Sequence, residues 1–98
     1  MGNLAFIVHE RFFKDPDDLY QAAKQALQEL NFTFLVDDSS SKHIHAHGDW
    51  RGGFAHVEIR VDSGRGRGIY ISVVPGDEGK YLDLARVLLE KIRKRLAG

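Results

Sequence analysis

The chain has no cysteine. That excludes disulfides, thiolate metal ligands and cysteine nucleophiles, and it fits a reducing compartment. Proline occurs only twice, at Pro16 and Pro75, and both residues mark element boundaries. An excess of charge is missing as well: Lys plus Arg and Asp plus Glu each total 14. Such a balance exerts no global pull toward nucleic acid or anionic membrane, so any such binding must come from a local patch. No apolar run approaches the ~20 residues of a membrane helix. The start, Met1 to Val8, lacks the basic region and long apolar stretch of a signal peptide. These absences point to a cytoplasmic protein with no membrane partner.

What is present suits one globular domain spanning residues 1–98. Apolar residues make up 43% and charged residues 29%, an ordinary balance that argues against disorder.

Leu4 to His9 alternates and is rich in β-formers, which predicts a first strand. Asp15 can cap a helix, Pro16 suits its first position, and Asp17 and Asp18 complement the positive end of its dipole. Leu19, Ala22, Ala23, Ala26, Leu27 and Leu30 then form one apolar stripe, with Asn31 as a left-handed stop. Phe32 to Val36 reads as a second strand with Phe32, Phe34 and Val36 on one face.

His43 to Trp50 and Phe54 to Val61 both alternate, and Gly52-Gly53 lies between them, a hairpin signal. A two-residue turn at the diglycine pairs Arg51 with Phe54. It sets Ile44, Ala46, Gly48 and Trp50 opposite Val61, Ile59, Val57 and Ala55 on an inward face. The outward face then carries His43–Asp62, His45–Arg60, His47–Glu58 and Asp49–His56. A slip of one residue would bury charge, so the face assignment is well determined. After a glycine-rich loop, Ile69 to Val74 forms a fifth strand that Pro75-Gly76 ends. A second helix from about Glu78 to Leu96 carries Tyr81, Leu84, Ala85, Leu88, Leu89, Ile92 and Leu96 on its apolar stripe.

The order is β-α-β-β-β-β-α. Each strand has one apolar face and each helix one stripe, so an α+β fold follows. Its five-stranded, mostly antiparallel sheet carries both helices on one face. At the fold level this order resembles TATA-binding-protein-like and related helix-on-sheet folds. Such a resemblance carries no function by itself.

Three constellations carry chemistry. Imidazoles at alternate strand positions share a face, so His45 and His47 with His56 from the next strand form a candidate metal set, with Asp49 or Glu58 as ligand or supporting partner. Zinc or another divalent transition metal suits such donors. In the expected register His56 lies level with Asp49 and reaches His47 only diagonally. The plain alternative is a solvated face of cross-strand pairs, with no cofactor. Next, Arg65 and Arg67 in the glycine-rich loop, with Arg93 and Arg95 at the basic end of the second helix, form a candidate anion or nucleic-acid contact. The loop lacks the Lys-Ser/Thr of a phosphate-binding loop. Last, His43, His45, His47, Phe54, Glu58, Arg60 and Tyr70, with Ile7, Leu35 and Val74, form an outward sheet face suited to a second copy or a protein partner. Ser72, opposite Glu58 and near His56, superficially resembles a nucleophile beside an acid and a base. No strained elbow or oxyanion hole accompanies it, so a non-enzymatic binding domain is expected.

Overall fold

Alternating side chains and helical stripes become seven elements in the computed structural model, which describes residues 6–64, 68–75 and 79–97. They run β1 (Phe6–Arg11), α1 (Pro16–Glu29), β2 (Thr33–Asp38), β3 (His43–Trp50), β4 (Gly53–Asp62), β5 (Gly68–Val74) and α2 (Gly79–Ala97). Consecutive hairpins join β2 to β5, and β1 closes the far edge, giving one antiparallel sheet in the order β1-β5-β4-β3-β2.

The expected signals start and stop α1. The Asp15 side chain accepts from the backbone N–H of Asp17 at 2.9 Å, and Pro16 opens the helix. Asn31, with φ 61°, turns the chain out of it.

Both helices lie on the inward face of the sheet. Leu19, Ala23, Ala26 and Leu27 of α1 and Leu84, Leu88 and Ile92 of α2 are fully buried against Ile44, Val57, Ile59, Ile71 and Val73. Each large aliphatic side chain so buried contributes about 1.5–3 kcal/mol of transfer free energy. Among the described residues none of the buried side chains is polar or charged. Polar ties lie at the rim of this layer. The indole N–H of Trp50 donates to the Lys80 carbonyl at 2.6 Å, and Lys91 and Arg95 of α2 both hold Glu29 of α1.

Two expectations need correction. The β3–β4 turn centres on Arg51-Gly52, not on the diglycine, so Trp50 pairs with Gly53 and the register moves by two residues. Arg51 and Gly52 have φ of 48° and 82°, the left-handed pair that a tight primed turn requires. A side chain at the first of these positions is held on both sides. The Arg51 guanidinium lies over the Trp50 ring at 4.9 Å and donates to Asp83 at 2.7 Å. A two-residue move keeps every side chain on its expected face.

The second correction concerns β2. Phe32 precedes the strand and is buried, with its ring where a Cβ on Gly48 would sit. A bulge at Leu35 reverses the alternation, so Phe34 pairs with Ala46 but Val36 pairs with His45 on the outward face. Asp37 is thereby turned inward, where it accepts from the Tyr20 hydroxyl and pairs with Lys24 at 2.7 Å.

Candidate functional site

The observed registers arrange the outward face in rows that cross the strands. One row runs His9, Tyr70, Arg60, His43, Asp38. The next runs Ile7, Ser72, Glu58, His45, Val36, and a third runs Val74, His56, His47, Thr33. Beyond them Phe54 faces Asp49. No helix covers this face, because both pack on the other one.

The face is chemically mixed. Ile7 is 70% exposed and Phe54 50%, with Tyr70 and Val36 also exposed. His9 stacks on Tyr70 at 4.3 Å between ring centres. Phe54 meets His47 at 5.0 Å and the edge of His56 at 5.4 Å. A shallow depression of about 450 Å³ lies between Ile7, Tyr70, Ser72, Glu58, Arg60 and Asp62. A smaller one of about 150 Å³ adjoins it, lined by His45, His56, Glu58, Ser72 and Val74.

Glu58 stands between the two. Its Oε2 is 2.6 Å from Nε2 of His43 and 3.7 Å from Nη2 of Arg60. The first is a short hydrogen bond; the second is too long for one and leaves Arg60 loosely held. The pairs expected from the diglycine register, Asp49–His56, His47–Glu58, His45–Arg60 and His43–Asp62, are replaced by Asp49–Phe54, His47–His56, His45–Glu58 and His43–Arg60.

The corrected register gathers the histidines. His56 lies directly opposite His47, with ring centres 5.8 Å apart, and diagonal to His45 at 5.9 Å. Asp49 falls one row away, beside Phe54, and Glu58 takes the place facing His45. Nδ1 of His47 is buried and has no hydrogen-bond partner. Such a group ordinarily costs about 1–3 kcal/mol, so it calls for an explanation. Among the described residues, no three His, Asp or Glu groups converge on one point as the side chains stand.

The basic helix end is arranged differently from the histidines. Nε of Arg93 donates to Glu10 at 2.7 Å, which fastens α2 to β1 and raises the Arg93 pKa above its usual value. Arg95 donates to Glu29 at 2.9 Å and to Gln25 at 3.0 Å. Lys91 and Arg95 together hold the Glu29 carboxyl below its ordinary value of 4.5. Both arginines are thus engaged with side chains of the same molecule. Arg65 and Arg67 lie outside the described residues.

Sequence reasoning missed His9 and Val36 on the outward face. The alternation of Ile7 and His9 in β1 was a usable signal for the first, whereas the bulge that turns Val36 outward leaves none. No helix among the described residues is long and apolar enough to cross a membrane. No protein-family model matches the chain, and no curated protein matches it.

Proposed function

We propose that the protein is a non-enzymatic assembly domain whose outward sheet face docks on a second copy of itself. The observation that carries this reading is a five-stranded sheet with helices on one side only and exposed apolar groups, Ile7, Tyr70, Phe54 and Val36, spread across the other. Two-fold dimers are the commonest homo-oligomers. Arg60 and Glu58 occupy adjacent rows of the central strand. A two-fold axis crossing the strands between those rows sets Arg60 of each copy over Glu58 of the other. It also lays the depression beside Ile7 and Tyr70 near its counterpart.

Size sets the strength. Five strands about 4.8 Å apart, each contributing some 20 Å, project roughly 500 Å² per copy. Side-chain relief raises this toward the ~800 Å² per partner of a standard interface. A dimer of moderate affinity follows, rather than an obligate one. The cysteine-free composition is compatible with a cytoplasmic setting.

Sedimentation over a concentration series tests the reading. The native protein is expected to dimerise, Arg60→Glu to shift the equilibrium toward monomer, and Arg60→Glu with Glu58→Arg to restore the dimer. A native protein that stays monomeric at the highest concentration, or a double variant no better than the single, contradicts it.

A further inference from the structure

We propose that His45, His47 and His56 bind one divalent transition-metal ion of the zinc, nickel or copper class on the outward face of the β3–β4 ribbon. This goes beyond docking, although it uses the same outward face and shares Glu58 with it.

The plain alternative for a histidine-rich strand face is a set of cross-strand ion pairs. The observed register removes that alternative at the centre of the face, because His47 faces His56 and imidazole meets imidazole. Two such rings across a ladder give no charge complementarity, but they do bring two imidazoles together with ring centres 5.8 Å apart. His45, two residues along β3, supplies the third from the same face.

The two separations that involve His56 are close to what a metal requires. With metal–nitrogen bonds of about 2.0–2.1 Å and tetrahedral angles, ring centres of neighbouring ligands stand about 5 Å apart. The observed separations are 5.9 Å for His45–His56 and 5.8 Å for His47–His56. As placed, the rings do not converge on one point. His56, common to both pairs, is exposed and has room to change rotamer toward the other two.

Two further features belong to the same spot. The buried Nδ1 of His47 lacks a partner, and it belongs to a ring that would be a ligand. Glu58, opposite His45 and lining the same depression as His45 and His56, is placed to serve as a fourth ligand or to orient a histidine. Both of its side-chain contacts use Oε2. Imidazole and carboxylate together suit borderline transition metals better than magnesium or calcium.

Isothermal titration of untagged, chelator-treated protein with zinc decides the matter, with cobalt absorption as a second readout. One equivalent is expected to bind per chain, and cobalt to give the intense visible bands of four-coordination. His56→Ala and His45→Ala are each expected to weaken zinc binding at least ~10-fold. His9→Ala, a histidine on the same face but on β1, is expected to leave it unchanged. Unaltered melting of the metal-free variants would show that the fold survives. The absence of saturable zinc binding by the native protein, or equal weakening by His9→Ala and His56→Ala, overturns the proposal.

Discussion

Gly48 shows how one residue's lack of a side chain positions two layers. A Cβ there would lie 2.7 Å from the Phe32 ring, closer than real contacts allow, and the ring belongs to the core. Gly48→Ala is therefore expected to destabilise the protein by about 1–3 kcal/mol through overpacking, measured by chemical denaturation. Retained stability would mean that Phe32 can move aside. Asp38 makes a different local claim. Its Oδ1 accepts from the Ser40 hydroxyl at 2.6 Å and from the Ser40 and Ser41 amides at 3.0 and 3.4 Å. These bonds, the Ser40 hydroxyl foremost, hold its pKa down from 3.8 to about 2. A depressed carboxyl stabilises the fold at pH above 3.8 and loses that contribution as pH falls toward 2. Ser40→Ala is expected to raise the Asp38 pKa toward 3.8, read from its carboxyl carbon shift during an NMR titration. No movement would remove the hydroxyl as the leading cause.

At the scale of elements, the β3–β4 hairpin separates what alternation can reveal from what it cannot. Period-two patterning decided which face His45, His47, His56 and Glu58 occupy, and it did so reliably because a one-residue slip buries charge. It could not separate two registers that differ by two residues, since both keep the faces. Turn chemistry broke that tie, and Gly52-Gly53 drew the turn one residue too far along. The observed turn depends on Arg51 tolerating φ 48° while held by its neighbour Trp50 and by Asp83, which is distant in sequence. The bulge at Leu35 was equally hidden, because Phe34, Leu35 and Val36 are all apolar and fit either phase. Gly52 tests the turn. A Cβ there meets nothing within 4 Å, so only its φ of 82° opposes a side chain. Gly52→Ala is expected to cost about 1–2 kcal/mol in thermal unfolding, without loss of the dimer beyond that of stability. A neutral result would argue for a turn centred elsewhere.

For the whole molecule, an asymmetry matters most: one face of the sheet is sealed by α1 and α2, and the other carries aromatic, aliphatic and charged groups in ordered rows. The two-layer plan was legible in the sequence because each strand had a single apolar face and each helix a single stripe. The rows were not, since they depend on registers between β1 and β5 and between β2 and β3 that patterning leaves open. The basic end of α2 was visible as a cluster of charge, but its ties to Glu10 and Glu29 appear only once the helix is packed. The docking reading rests on the rows, and one measurement reaches them most directly. In a mixture of isotope-labelled and unlabelled protein, filtered NMR experiments detect contacts between copies alone. Such contacts are expected from the Tyr70 ring and the Ile7 methyls, with none from α1 or α2. A spectrum without intermolecular contacts at concentrations near saturation, or one whose contacts come from the helices, would contradict the account.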